Sequence, residues 1–215
     1  MIVLNTTRFG EDSLIIHGYN EDRGRISAVL NRTLCRRWAS ITPLSILEIQ
    51  TYGKGEMEKV RDFSHSYPLS SIRRDISKTA MAFFTAELLY RTLPQRESDQ
   101  LLYNFTVTSI LLLEESRRNI ANFHLWFSIL YLKYMGIAPS SDSESTYNPF
   151  SDKEKEFIKI CYGAKFEEAM DYVFSSLERN ALVESILKYA GYHLGIELRI
   201  NSAEVFRSVF QNLKK

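Results

Sequence analysis

Over roughly the first sixty residues the apolar positions recur at the short period of β-strands. Residues 2–7 and 13–19 are rich in Ile, Val, Leu and Thr, the composition of strands. Phe9-Gly10-Glu11-Asp12 between them suits a turn. Asn20-Glu21-Asp22-Arg23-Gly24 is the next turn, where Gly24 can take the positive φ that a tight hairpin often needs. Residues 25–30 set Ile26, Ala28 and Leu30 against Ser27 and Val29, the alternation of a half-buried strand. Residues 45–52 form another strand, and Tyr52-Gly53-Lys54-Gly55-Glu56 turns into a fifth near 57–62. Five short strands with no long helix among them predict a small closed or partly open β-barrel, with 31–44 as its long connection.

The period changes after Pro68. Ile72, Ile76, Ala80, Phe83 and Ala86 or Glu87 follow at helical spacing, predicting a helix from Ser70 to Leu93 that Pro94 ends. A second helix is expected from Asp99 to Glu115, with Leu101, Phe105, Thr108 and Leu112 on one face. A third runs from Asn119 to Tyr134 and is stopped by Gly136 and Pro139. Its stretch Phe123–Tyr131 is apolar nearly all round, the signature of a helix at the centre of a bundle, although a groove beside it could take a partner peptide. Ser140–Thr146 reads as an exposed polar loop. Ser151-Asp152-Lys153-Glu154 resembles a capping box opening a fourth helix. Further helices are expected over 167–174, 177–194 and 202–212, the last capped by Ser202. The fold class is α+β, a five-stranded barrel followed by an all-α part, with no internal repeat.

Composition narrows the function classes. At 215 residues the chain is one large domain or two small ones, and 45% hydrophobic content supplies a proper core. The net charge of +1 announces no nucleic-acid partner, but residues 1–80 carry 12 Lys+Arg against 9 Asp+Glu, which allows a local basic patch. No apolar run reaches membrane-spanning length, and Leu101–Leu113 is interrupted by Tyr103, Asn104, Thr106, Thr108 and Ser109. The N-terminus lacks the basic stretch and apolar core of a signal peptide, so a reduced cytosolic protein is expected. Cys35 and Cys161 are too few for a four-thiolate zinc site.

The candidate chemistry is that of binding rather than bond-making. Arg32, Arg36 and Arg37 crowd the long connection beside Trp38, offering planar forks for phosphate and a face for a base. Arg8 and Arg25 flank the barrel strands, and Lys54 sits in a hairpin tip. Against this, exposed basic residues are usually solvated and a lone Trp often belongs to a core. Arg73-Arg74 either extends a basic surface or pairs with Asp75 or Asp62. No pair among His17, His65, His124 and His193 has the i, i+4 spacing of a metal-binding helix, so these are read as structural or surface residues. Glu114-Glu115 and Glu167-Glu168 are adjacent, so each pair splits over two helix sides and is read as solvated. There is no phosphate-binding Gly-rich loop and no G-x-S-x-G elbow. Cys35 has no histidine partner that would argue for a nucleophile.

Several segments together resemble the bacterial recombination mediator family RecO. They are Thr7-Arg8-Phe9-Gly10-Glu11-Asp12-Ser13, Gly24-Arg25-Ile26, the basic loop, Pro43-Leu44 and Leu47-Glu48. Ala86-Glu87-Leu88-Leu89, Asn122-Phe123-His124-Leu125 with Met135-Gly136-Ile137-Ala138-Pro139, and Leu187-Lys188-Tyr189 with His193, Ser202 and Val205 extend the likeness in order along nearly the whole chain. The resemblance implies an N-terminal OB-fold over 1–66 and a helical domain over 67–215. It implies binding of single- and double-stranded DNA, strand annealing, and recombinase loading with the partner RecR. It further implies capture of the acidic C-terminal tail of single-stranded-DNA-binding protein, a cytoplasmic, nucleoid-associated location, and no enzyme activity. The expected DNA-binding set is Arg8, Arg25, Arg32, Arg36, Arg37, Trp38 and Lys54.

Two departures from the family matter. Many members carry a four-cysteine zinc site in the helical half, where this chain has only Cys161, so no metal and no cofactor are expected. The chain also begins almost inside its first strand, leaving either a short strand or a start assigned late. The rival function, kept open by the near-zero net charge, is a protein–protein adaptor whose barrel binds no DNA.

Overall fold

The computed structural model describes residues 1–31, 40–53, 57–117, 119–139, 147–163 and 165–203. The five predicted strands are present: β1 (Ile2–Phe9), β2 (Ser13–Asn20), β3 (Gly24–Asn31), β4 (Leu47–Tyr52) and β5 (Glu58–His65). They form one sheet in the order β1-β2-β3-β5-β4. All neighbours are antiparallel except β3 and β5, which meet in parallel at Ala28↔Glu58 and Val29↔Lys59. The sheet curls until its edges meet at one end only. There Val3 N–H donates to Ser45 O at 2.8 Å, Leu44 N–H to Val3 O at 2.8 Å, and Leu47 N–H to Met1 O at 2.8 Å. The result is an OB-like, partly open barrel with β4 as an edge beyond Leu47.

β1 is eight residues long, as long as β2, so it is not short. Ser45 and Ile46 pair with β1, while Ile46 O also accepts the Ser66 N–H at 2.9 Å just past β5, and β4 starts at Leu47 rather than at 45. β5 continues to His65, past the expected end at 62. Gly24 has φ 66, as its turn required, and a Cβ there would stand 2.1 Å from the Glu97 carbonyl oxygen. That glycine lets the barrel press against the segment before the second long helix.

Two cores result. Met1, Val3, Leu14, Ile16, Ala28, Leu30, Leu47, Val60 and Phe63 fill the barrel. The other face of the same strands sends Ile2, Leu4 and Tyr19 into the helical core. In β1 the two sides alternate regularly, and a register shift follows between Val3 and Asn5. Tyr19 donates its hydroxyl to Asp99 O at 3.0 Å, and burial, with the Asp99 charge adding, pushes its pKa up to about 12.

The helices are α1 (Ser70–Arg74), α2 (Ile76–Thr92), α3 (Gln100–Glu115), α4 (Phe123–Tyr134), α5 (Asp152–Gly163), α6 (Phe166–Asp171) and α7 (Ser176–Leu194). The single helix expected over 70–93 is broken at Asp75, which is extended (φ −94, ψ 119) and accepts from the Ser77 and Lys78 amides. The break resets the helical phase, so Ile76 and Phe83 are 61% and 50% exposed while Met81, Phe84 and Leu88 are buried. In α3 the predicted stripe is also off: Leu101 is 71% exposed and Leu102, Thr106, Ser109, Ile110 and Leu113 are buried. Thr106 and Ser109 can turn inward because their hydroxyls donate to the carbonyls of Leu102 and Phe105, each at 2.8 Å.

The third predicted helix starts at Phe123 rather than Asn119, because Asn119–Asn122 form a capping turn. α4 is the centre of the bundle, with Phe123, His124, Leu125, Trp126, Phe127, Ile129, Tyr131 and Leu132 all buried. At Ser151 the Glu154 carboxylate accepts the backbone N–H at 2.7 Å, one half of the predicted capping box. A complete box stands instead at Ser175 and Glu178. The helix expected over 167–174 runs from Phe166 to Asp171. The loop at 140–146 lies outside the described residues, as does most of the last predicted helix. Its first residues, Asn201 and Ser202, donate backbone N–H bonds to Glu87 at 3.0 and 2.8 Å.

Candidate nucleic-acid interface and partner groove

The barrel holds its basic and aromatic side chains at two ends. Arg8 is exposed on β1, opposite Leu14, and Phe9 beside it is 50% exposed. The long basic connection leaves the sheet at this end, from Asn31, which pairs with Ser13 and accepts its hydroxyl at 3.3 Å. Arg32, Arg36, Arg37 and Trp38 themselves lie outside the described residues, as does Lys54. The hairpin that carries Lys54 leaves from the other end, where Arg23 bridges to Glu58 at 2.9 Å.

Arg25 has a different setting from Arg8. It pairs with Tyr19, five residue steps along β2 from Leu14, or roughly 17 Å at the rise of a strand. Its guanidinium donates to Tyr90 O at 2.7 Å and lies 5.4 Å from the Tyr90 ring centre. Its carbonyl accepts the Arg96 N–H at 3.2 Å. Arg25 thus ties β3 to α2 at the barrel–helix junction. Beside it a polar row crosses three strands: Thr7 Oγ1 to His17 Nε2 at 3.1 Å, and His17 Nδ1 to Ser27 Oγ at 2.8 Å. Burial, with the Arg25 charge adding, lowers the His17 pKa. These contacts make His17 a structural residue of the junction.

Sequence reasoning missed the outer face of the β4–β5 hairpin. Tyr52 lies opposite Lys59, and Arg61 places its guanidinium carbon 5.8 Å from the Tyr52 ring centre. All three side chains are exposed. The alternation of Lys59 and Arg61 next to a strand-ending Tyr was the available signal.

The helical part offers a groove of about 440 Å³ between α3 and α4. Phe105, Thr108, Ser109, Leu112, Trp126, Leu130, Lys133 and Tyr134 line it. Phe105 stacks on Tyr134 at 4.7 Å and packs against Trp126 at 6.0 Å, so the walls are fixed by aromatic contacts. Lys133 supplies a cation at the rim, 4.8 Å from the Tyr162 ring centre.

Two further titratable groups, His124 and Cys161, are buried. Burial, with the Arg179 charge adding, pushes the His124 imidazole down to about 3, so it is neutral at pH 7. Cys161 is a buried free thiol whose pKa burial raises. Among the described residues no three His, Cys, Asp or Glu side chains cluster as metal ligands. Among the same residues no helix is long and apolar enough to cross a membrane.

Comparison with known proteins places the chain among related sequences. Residues 73–158 match the family described as Recombination protein O C terminal. The chain is 26% identical over 231 residues to DNA repair protein RecO of Flavobacterium psychrophilum, covering 97% of each. It is 25% identical over 234 residues to the RecO of Azobacteroides pseudotrichonymphae and 27% identical over 233 residues to that of Phocaeicola vulgatus, again covering 97% of each chain.

Proposed function

From a chain that is a relative of the RecO DNA repair proteins along 97% of its length, we propose a non-catalytic, DNA-binding recombination mediator. The observation that carries the reading is this end-to-end relationship on a five-stranded OB-like barrel joined to a helical bundle. In the proposed mechanism, cations on the barrel neutralise phosphates of two strands and hold them close enough to anneal. Arg8 and the connection bearing Arg32, Arg36, Arg37 and Trp38 form one contact region, and the hairpin bearing Lys54 forms a second. Arg25 contributes by fixing the barrel on the bundle. The division into 1–66 and 67–215 separates strand handling from partner contacts. Recombinase loading with RecR and a cytoplasmic, nucleoid-associated location complete the proposal. Titrating a labelled single-stranded oligonucleotide with the protein tests it: binding that weakens as salt rises is expected, and an adaptor gives none.

The groove between α3 and α4 suits the acidic tail of single-stranded-DNA-binding protein. Its walls are aromatic and aliphatic, and Lys133 offers a charge partner to a carboxylate. Lys133→Glu is expected to weaken binding of a labelled tail peptide by about tenfold or more, since it turns attraction into repulsion at an exposed position. DNA binding should be unaffected, because the substitution lies on the bundle. Equal peptide affinity for both proteins would exclude this groove.

A further inference from the structure

We propose that the outer face of the β4–β5 hairpin, built by Tyr52, Lys59 and Arg61, is a stacking platform for the bases of single-stranded DNA. The inference rests on the reading of the chain as a DNA-binding protein and names a surface which that reading did not include.

The geometry starts from a β-bulge. Gln50 pairs with Asp62 and Thr51 with Val60, so Arg61 is the extra residue of β5. A bulge re-aims a side chain that the regular alternation would send elsewhere. Val60 and Phe63 remain in the barrel core, so Arg61 and Asp62 are consecutive residues that are both exposed. The displaced Arg61 reaches Tyr52 at 5.8 Å, and Lys59 flanks the ring directly across the ladder. A half-exposed ring held by a cation presents its free face with little rotamer freedom left to lose.

Charge is sorted around the platform. Glu58 shares its side of the ladder with Val60 and is occupied by Arg23 at 2.9 Å and Thr51 at 2.6 Å. Those hydrogen bonds, Arg23 first, hold its carboxyl below the usual range. Of the exposed acids of the outer face, Glu48 lies toward the far end of the hairpin and Asp62 stands next to Arg61, opposite Gln50, so two cations against one carboxylate surround the ring. A cationic pair beside an open aromatic face matches a phosphate–base repeat. The backbone edge of β4 beyond Leu47 carries no further strand among the described residues, so an extended chain can approach. An apolar protein partner would be served less well, because both cations would lose water on docking.

The test uses the full chain with a labelled oligothymidylate and a labelled duplex of the same length. Tyr52→Leu keeps an apolar side chain but removes the ring, and is expected to weaken oligothymidylate binding by roughly five- to thirty-fold at constant salt slope. Tyr52→Phe should bind as the parent does. Arg61→Gln should weaken binding and make the salt slope shallower by about 0.7, one phosphate contact on a single strand. Duplex affinity should be unchanged by Tyr52→Leu, because paired bases offer no open face. If the parent binds and Tyr52→Leu binds equally well, or loses duplex and single strand alike, the platform is wrong and the DNA-binding reading stands. If the parent itself binds neither nucleic acid, both are wrong.

Discussion

Replacing Lys78 by methionine is expected to lower the unfolding free energy by about 3 kcal/mol, a large loss for one side chain. Lys78 is 4% exposed and its ammonium donates to Ser71 Oγ at 2.7 Å, Glu114 O at 2.8 Å and Ser116 O at 2.7 Å. Those bonds use all three of its donors and satisfy carbonyls at the C-terminal end of α3. Glu114 closes the loop from the other side, accepting the Ser71 and Ile72 amides at 2.8 Å each and so capping α1. Burial lowers the Lys78 pKa, with Glu114 and Asp75 opposing. Methionine fills the volume but leaves the acceptors without their cation. Thermal unfolding should show a fall of about 6–12 °C for a chain of this size. Arg199→Gln, at an exposed pair with Glu197, should change stability by less than about 0.5 kcal/mol. Equal melting temperatures for the parent and Lys78→Met would show that this staple contributes nothing.

The second large effect concerns DNA. Arg32/Arg36/Arg37→Glu is expected to weaken oligonucleotide binding by about a hundredfold or more at moderate salt, and to make the salt slope shallower by about 2. The substitution removes three cations and adds three anions in one connection, so it changes the net charge of +1 by six to −5. The circular dichroism spectrum and melting temperature should match the parent, which checks that the loss is one of binding and not of folding. Retained binding at moderate salt would remove the connection from the interface and leave Arg8, the Lys54 hairpin and the Tyr52 platform to account for it.

Much of the barrel was legible because its signals are local. Alternation marked each strand, and Gly24 marked the hairpin through a backbone requirement that its own turn imposes. Among the described residues helices stand over most of the expected spans, but the first is broken at Asp75 and the buried faces of α2 and α3 differ from those expected. There the phase depended on Asp75 capping α2 and on hydroxyls of α3 bonding their own backbone. The full capping box was visible as Ser175 followed three positions later by Glu178, yet that helix was expected from 177, one residue after its observed start. The role of Lys78 was not legible because two of its acceptors lie 36 and 38 residues away. The exposure of both Arg61 and Asp62 could not be read, since a bulge exists only once two strands have chosen a register. Arg25 illustrates the converse. Its position beside a turn read as free surface, and only the packing of α2 against β3 gives it Tyr90 as a partner.

The central claim is that this barrel binds DNA through its cations, and the salt dependence of binding tests it most directly. Fluorescence anisotropy of a labelled single-stranded oligonucleotide, titrated with the intact protein at several salt concentrations, should give affinities whose logarithm falls linearly with the logarithm of salt. A slope of about −2 to −3, equal to three or four phosphate contacts on a single strand, is the predicted result. No rise in anisotropy at low salt, or an affinity that salt leaves unchanged, would contradict the account.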